Sequence, residues 1–358
     1  MEENILLKEK IKTLFAICIL IITIPYIITF FFQRNETTPD NESLWETGQN
    51  FSSETSEKNS SETELLEKTA SEEGSENTAP QKGESENDSS ANEEGSKNDL
   101  AKSLETDVDG YLVGVVAKQI PLDYHLETIK VQAVIARTAL AAAMDTEDQA
   151  LPNSMSQEEM ITLWGQDGFE TNYAMLEEAI RDTQDEILTY DGEPIMAAFH
   201  AVSAGKTRNG EDASIENVPY LTSVESDLDI PSPDFLKVVF LEKKDFVEKI
   251  QSICPELEAE PEKILELFTI EARDGSGYVT QAKVGEFPLS GDSLRECLGL
   301  NSACFYIKEV EGKVRIVTKG LGHGLGLSQY AANEMAKTGM EYQEILRYFY
   351  QNVEFGSL

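Results

Sequence analysis

Two cations stand in the middle of an apolar, alanine-rich stretch that runs from residue 113 to residue 144. Lys130 and Arg137 are seven residues apart, so on a helix they lie on nearly the same line, two turns from each other. Such a pair could hold polar or anionic groups of a ligand, with the arginine using its planar fork. The pair could equally form ion pairs with acidic residues and fix the helix in place. The residues alone leave both interpretations open.

Gln119 ends the apolar run VGVVAKQ and lies just before the Ile-Pro dipeptide that closes it. A carboxylic acid in a partly apolar pocket has a raised pKa and can protonate the leaving oxygen of a glycosidic bond. An amide cannot donate a proton as an acid does. The run therefore predicts a pocket wall without the acid that glycoside chemistry would need.

Two histidines are followed or surrounded by small residues. His200 ends an apolar strand and precedes a run of alanine, serine and glycine that would let a bulky ligand come close. A buried histidine with satisfied hydrogen bonds is the alternative. His323 stands among four glycines, and Ser328 can cap the helix that follows them. The loop either lets backbone approach a ligand or only fastens the chain.

Several classes of site and partner are excluded. The formal net charge is −37 and there is no basic stripe, so nucleic acid is not expected. No pair among the 3 histidines or the cysteines has a zinc-site spacing, and neither a P-loop nor a nucleophile elbow is present. We expect no metal and no cofactor. A disulfide between Cys297 and Cys304 is conceivable, but core packing explains these thiols equally well.

The elements that must position these residues are helices and hairpins. Asp123 can cap a helix to about Met144, and a second helix over 156–183 is broken at 165–168. Further helices are predicted from Ser328 to about Lys337 and in EYQEILRYFYQ. Turn signals predict three hairpins: ILTY to EPIMAAFHAVS, FTIEA to YVTQAKVG, and FYIKEV to KVRIVTK. Because helices and strands do not strictly alternate, the class is α+β.

The chain divides into four parts. Residues 13–32 are apolar and uncharged, long enough for a transmembrane helix, and three lysines precede them. The positive-inside bias then places residues 1–12 in the cytoplasm and the rest outside the cell. A cleaved signal peptide is the alternative. Residues 33–103 have the composition of a disordered acidic linker, either a spacer or an interaction tail, and residues 104–358 form a single extracytoplasmic domain.

Four short motifs follow one another in this domain. The first joins Tyr111-x-x-Gly-Val-Val-Ala to a helix with Lys-x-Gln-Ala-Val-x-Ala-Arg-Thr; the others are His200 to Thr207, Tyr220 to Val224, and Gly322 to Ala332. With these motifs, residues from about 105 to 355 resemble the stage II sporulation protein D family, also called the SpoIID/LytB domain. Departures include Leu325, Leu327 and Ala331 in the last motif.

The resemblance implies a protein that acts on peptidoglycan. Sporulation members of the family are membrane-anchored lytic transglycosylases, in which one glutamate protonates the glycosidic oxygen and then takes a proton from the sugar's own hydroxyl. That glutamate falls at Gln119. Some relatives bind zinc in the region corresponding to 145–175, but this chain has neither histidine nor cysteine there. The substrate-binding residues implied are Lys130, Gln132, Arg137, His200, Ser203, Thr207, Tyr220, His323, Ser328 and Gln329.

Three hypotheses about function follow. The first is a membrane-anchored sporulation protein that binds peptidoglycan glycan strands, has lost cleavage and acts with other sporulation wall hydrolases and membrane proteins of engulfment. The second is an active lytic transglycosylase in which Glu127 or Asp123 replaces the missing acid, or Gln119 orients a water for another carboxylate. Against the substitutes, a shift of about 1 Å can cost about 100-fold in rate. The third is an assembly protein that never contacts glycan.

Overall fold

The computed structural model of the chain describes residues 107–144 and 150–358. The predicted transmembrane helix and all of the predicted linker lie outside these residues. Among the helices of the described ranges, none is long and apolar enough to cross a membrane. The described residues combine helices with small antiparallel sheets, in agreement with the predicted mixture of helix and strand.

Three helices open the domain. They are α1 (Val108–Gln119), α2 (Leu126–Met144) and α3 (Gln157–Asp182). The sequence predicted α2 and α3 but not α1, because the β-branched valines of that run lower helix propensity. Helix α1 nevertheless forms, since its apolar side chains pack into one core with those of α2 and α3. Asp107 caps it by accepting a hydrogen bond from the Gly110 amide at 2.8 Å.

The helix starts differ in how well the sequence indicated them. The Asp123 cap was wrong: α2 begins at Leu126, and the His125 ring Nδ1 accepts a hydrogen bond from the Glu127 amide at 3.2 Å. Ser156 and Glu159 form a capping box at the start of α3. The predicted break in α3 is confirmed at Gly165, whose φ of 69° is outside the helical region.

Helix α2 is the central element of the domain. Val131, Val134 and Ile135 face a core formed with the last two helices and the first sheet. Ile129 and Leu140 face the other core, formed with α1 and α3. Because α2 is buried on both sides, its sequence is apolar nearly all round, as the alanine-rich stretch indicated.

The first predicted hairpin is correct at its turn and wrong in its second strand. Strands β1 (Glu186–Tyr190) and β2 (Glu193–Pro194) pair through a turn in which Asp191 and Gly192 both have positive φ. Strand β2 ends at Pro194, and one further backbone hydrogen bond follows it, from the Ile195 amide to the Leu188 carbonyl at 3.0 Å. Residues Phe199–His200 form a separate strand, β3.

The other two hairpins are confirmed, and each gains a third strand. The elements after β3 are β4 (Leu236–Leu241), α4 (Lys243–Ile253), α5 (Ile264–Leu267), β5 (Phe268–Arg273), β6 (Val279–Val284), β7 (Phe287–Leu289), α6 (Gly291–Leu298), β8 (Phe305–Val310), β9 (Lys313–Lys319), β10 (Leu327–Ser328), α7 (Gln329–Lys337), α8 (Tyr342–Phe349) and β11 (Glu354–Ser357). Strand orders are β11-β1-β2, β10-β3, β4-β9-β8 and β5-β6-β7. The confirmed helices α7 and α8 pack on α2, while α4, α6 and the last two sheets share a third core.

The thiols of the described residues are free. Cys254 and Cys304 are buried, Cys297 is half-buried, and none of the three forms a disulfide. Their side chains belong to the hydrophobic clusters, so the packing interpretation is the one that the structure supports.

Arg137 is held by the C-terminal end of α3. Its guanidinium is 2% exposed and donates to the carbonyls of Ile180 at 3.1 Å, Thr183 at 2.6 Å and Glu186 at 3.2 Å. The last carbonyls of a helix lack partners within the helix, and burial makes unsatisfied carbonyls costly. Arg137 therefore fastens the end of α3 and the start of β1 to α2.

Replacing Arg137 with methionine should lower the free energy of unfolding by about 3 kcal/mol, because buried carbonyls lose their donor. Denaturant unfolding of the purified protein measures the change. Arg181→Met is the matched control, since that side chain is 68% exposed at the same helix end, and it should cost no more than about 0.5 kcal/mol. Equal losses in the two variants would contradict the fastening role.

Candidate functional site

Three glutamines from three helices meet at the C-terminal end of α1. Gln132 Nε2 donates to Gln119 Oε1 at 2.8 Å. Gln329 Nε2 donates to the Gln119 carbonyl oxygen at 2.8 Å and to Gln132 Oε1 at 3.0 Å. Gln132 and Gln329 are buried, whereas Gln119 is half-buried. The position that the resemblance assigns to the proton donor is therefore at the rim of a buried amide cluster.

Two polar atoms of this cluster have no hydrogen-bond partner among the described residues. Gln329 Oε1 is buried and has no hydrogen-bond partner. Within the described residues, Gln119 Nε2 likewise has no partner, while its Oε1 accepts from Gln132. A glutamate at position 119 could accept the same hydrogen bond with one oxygen and keep the other free. The amide has a donor at that place instead of an acid or base.

Asp229 accepts a hydrogen bond from Ser328, the residue before Gln329 of the amide cluster, and no pattern in the sequence indicated it. Its side chain is buried and accepts from the Ser203 amide at 3.0 Å, Ser226 Oγ at 2.8 Å and Ser328 Oγ at 2.7 Å. Burial raises the pKa of Asp229, and the serine hydrogen bonds oppose that rise. Asp229 lies in a short 3-10 turn of a polar loop, where no periodicity marks it.

The strand pair β3 and β10 places His200 beside the first turn of α7. The two strands are parallel, with His200 paired with Ser328, and the Tyr330 amide donates to the Ala201 carbonyl at 3.0 Å. Gly326 makes this approach possible, since a Cβ there would lie 1.9 Å from the Ala198 carbonyl oxygen. The hairpin prediction for His200 failed because this long-range contact replaces the local one.

His200 and His323 face each other with their ring centroids 5.8 Å apart. His200 Nδ1 donates to the Leu325 carbonyl at 3.0 Å, which leaves Nε2 as a buried acceptor without a partner. His323 Nδ1 accepts from the Leu325 amide at 3.1 Å. Burial lowers the pKa of His200 to about 4 and that of His323 to about 3. Both rings are therefore neutral at neutral pH.

The glycine loop packs directly on this pair. A Cβ at Gly322 would lie 2.7 Å from the His200 Cβ, so only glycine fits there without a shift. Sequence reasoning missed Arg208, which is 2% exposed and supports the loop from behind. It donates to Asp274 at 2.9 Å and to the His323 carbonyl at 3.2 Å. Arg208 directly follows Thr207, the last residue of the second motif, but nothing in the sequence distinguishes it from other charged residues.

The remaining predicted residues lie apart from the amide cluster and make structural contacts. Lys130 forms ion pairs with Glu127 and Asp182, both at 3.0 Å. Thr207 Oγ1 accepts from the Val224 amide at 2.9 Å, and Tyr220 Oη accepts from the Met196 amide at 2.9 Å. Arg137 has the capping contacts described above. Substrate-binding roles for these residues stay predictions.

The two proposed substitutes for the missing acid differ in their environment. Glu127 has both oxygens engaged, Oε1 with Lys130 and Oε2 with the Tyr342 amide at 3.0 Å. Asp123 is exposed in the turn before α2. Asp229 is buried with three donors around it, so it cannot reach a glycosidic oxygen in this arrangement. In the described part of the chain, no cluster of histidine, cysteine, aspartate or glutamate is arranged to hold a metal ion.

The lowered pKa of His200 predicts a pH dependence of stability. Because its folded pKa of about 4 lies below the ordinary value, the unfolded chain takes up the proton first as pH falls. This contribution to the free energy of unfolding is present above the unfolded pKa and should fall by about 2 kcal/mol between pH 7 and pH 5. Unfolding of His200→Gln at both pH values should show a fall smaller by that amount, with the part due to His323 remaining. His125→Gln, at an exposed histidine, is the control; a fall as large in His200→Gln as in the unchanged protein would contradict the assignment.

Comparison with known proteins gives a consistent result. The family model described as "Stage II sporulation protein" matches residues 96–190, which contain α1, α2 and α3. Stage II sporulation protein D of Bacillus amyloliquefaciens is 33% identical over 260 residues, covering 69% of this chain and 73% of that protein. The Bacillus subtilis (strain 168) protein of the same name is 32% identical over 260 residues, covering 69% and 74%.

A more distant relative has a different name. The amidase enhancer of Bacillus subtilis (strain 168) is 23% identical over 289 residues, which cover 67% of this chain and 39% of that protein. The two sporulation relatives are the stronger evidence, since both their identity and their coverage are higher. The chain, with its amide cluster at the end of α1, belongs to the stage II sporulation protein D family.

Proposed function

We propose that this chain is a membrane-anchored, extracytoplasmic protein that binds the glycan strands of peptidoglycan but lacks the proton donor needed to cleave them. The observation that carries the proposal is the amide of Gln119, held by Gln132 at the end of α1. The family resemblance assigns the acid and base of the transglycosylase reaction to this position. An amide there can donate a hydrogen bond to a sugar oxygen without transferring the proton.

The uncharged polar groups of the site suit the hydroxyl groups of a glycan strand. The three glutamines are neutral, and burial keeps both imidazoles neutral at neutral pH. His200 Nε2 and Gln329 Oε1 are buried acceptors without partners, which ordered waters could satisfy. The half-buried amide of Gln119 is the group of the cluster that a sugar hydroxyl could reach.

The anchoring part of the proposal is supported by sequence alone. Residues 13–32 have the length and composition of a membrane-spanning helix, and lysines precede them. A relative named for enhancing an amidase supports a role beside wall enzymes, which fits a binding protein as well as it fits a hydrolase. In such a role the chain would bind glycan and position partner wall hydrolases on it.

Restoring the acid should restore cleavage. The full chain, purified in detergent, is incubated with glycan strands free of stem peptides, and anhydro-ended products are measured. Gln119→Glu should release such products at least about 100-fold faster than the unchanged protein, because general acid catalysis contributes that much or more. Gln119→Leu is the control for the loss of the amide. Products from the unchanged protein at a rate near that of Gln119→Glu would contradict the proposal and favour the active-enzyme hypothesis.

Glycan binding is tested separately by co-sedimentation of the same full chain with intact sacculi. Gln119→Leu should weaken binding about tenfold, the effect of losing roughly one hydrogen bond and its supporting contacts. His125→Ala, at an exposed histidine before α2, should bind as the unchanged protein does. Absence of binding by the unchanged protein would favour the assembly-protein hypothesis instead.

A further inference from the structure

Five cations without a carboxylate partner gather around one sheet of this acidic protein. Strands β4, β9 and β8 form a three-stranded sheet in that order. At its periphery Lys243 pairs with Glu309 at 3.1 Å, and Lys313 pairs with Glu242. Among the described residues, no carboxylate lies within ion-pair distance of the remaining cations, which are Lys237, Arg273, Lys308, Arg315 and Lys319. In a chain with a net charge of −37, such a cluster marks a surface that differs from the rest.

The same sheet exposes apolar side chains on its outer face. Leu236, Val238 and Phe240 alternate along β4 and are 55%, 44% and 53% exposed. Tyr306 on β8 is 47% exposed, with the Arg273 guanidinium 4.4 Å above its ring. The inner face of the sheet, including Ile316, is buried in the third core. One face is thus packed, and the other presents an apolar stripe bordered by cations.

The backbone of β4 is open along the same residues. The Gly320 amide, just after β9, donates to the Phe235 carbonyl, just before β4, at 2.8 Å. The amide of the preceding residue, Lys319, points the other way, away from β4, and donates to the Cys304 carbonyl at 2.9 Å. Because amides alternate in direction along an antiparallel strand, β9 bonds to every second residue of β4. The N–H and C=O groups of Leu236, Val238 and Phe240 therefore point to the open edge, where no described residue bonds to them.

We propose that β4 is a docking edge for an extended, acidic segment of a partner protein, which pairs with it as a fourth strand. Pairing would satisfy the open backbone groups of β4. Alternate apolar side chains of the partner would lie beside Leu236, Val238 and Phe240 on the outer face. The carboxylates between them would lie on the opposite face, beside the exposed Lys237 and within the field of the other cations. An unprotected apolar edge of this kind is otherwise an aggregation hazard.

Two other occupants fit the observations less well. Pairing β4 with a second copy of itself would bring two identical cation clusters together, which like-charge repulsion disfavours. A lipid surface could attract the cations and the apolar side chains, but its hydrocarbon offers no partner for the open N–H and C=O groups. An extended peptide with alternating apolar and acidic side chains would pair with the open backbone groups, cover the apolar side chains and supply carboxylates for the cations.

The test uses the full chain in detergent and a short fluorescent peptide of alternating glutamate and valine, with binding measured by anisotropy up to about 1 mM. The matched probes are the lysine–valine peptide, which reverses the charge, and the glutamate–valine peptide with methylated backbone nitrogens, which cannot pair as a strand. The glutamate–valine peptide should bind at least about tenfold more tightly than either.

Variants of exposed residues locate the binding. Val238→Asp should weaken binding of the glutamate–valine peptide at least about tenfold, and Lys237→Ser should weaken it with a reduced salt dependence. Leu163→Asp is the control, because Leu163 is also exposed and apolar, at 50%, but lies on α3. None of these residues belongs to the proposed glycan site, so failure here leaves that site untouched.

Several outcomes would overturn the proposal. They are equal binding of the three peptides, no binding at 1 mM, and equal losses in Val238→Asp and Leu163→Asp. Binding that appears only after deletion of residues 42–95 would assign the edge to the chain's own acidic segment. Sedimentation as a dimer that Val238→Asp abolishes would assign it to a second copy. Binding only to phosphatidylglycerol vesicles would assign it to lipid.

Discussion

The first turn of α7 is where the separate parts of the site are held together. Ser328 donates to the buried carboxylate of Asp229, and Gln329 donates to both Gln119 and Gln132. Neither side chain is exposed, so each hydrogen bond is made where an unsatisfied group would be costly. This constraint fixes the end of α1, the centre of α2 and the strand with His200 relative to one another. The glycines before α7 let the loop pack closely against the strand that contains His200.

The chemical character of the site follows from what surrounds position 119. A glutamate at position 119 could keep both of these hydrogen bonds. Gln132 donates to the side-chain oxygen of residue 119, and Gln329 donates to its main-chain oxygen. The supporting hydrogen bonds are thus indifferent to whether residue 119 is an acid or an amide. A framework able to hold an acid, occupied by an amide, is consistent with a binding surface from which only the proton transfer has been removed.

The candidate site and the β4-β9-β8 sheet differ in electrostatic character. The amides and neutral imidazoles of the candidate site suit hydroxyl groups, while the outer face of the β4-β9-β8 sheet presents cations and exposed apolar side chains. In a chain with this many carboxylates, a group of cations without a carboxylate partner among the described residues is unusual. Separate surfaces for sugar and for protein would let a wall-binding protein engage both at once.

The sequence by itself determined the elements whose signals are local. The α2 and α3 helices, the Gly165 break, the Asp191-Gly192 turn and two hairpins follow from periodicity, caps and turn residues, which act over a few positions. The family, and with it the list of candidate residues, followed from motifs that are contiguous in the chain. Even the absence of the acid at position 119 is visible in one letter.

Only the tertiary structure decided which of those residues meet. His200 left its expected hairpin because its backbone pairs with Ser328, more than a hundred residues away, and Arg137 turned out to bind carbonyls of α3. Asp229 and Arg208 carry no sequence pattern that distinguishes them from other charged residues, because their importance comes from burial and from partners distant in the chain. Helix α1 formed against the local preference of its valines, since long-range packing outweighs propensity.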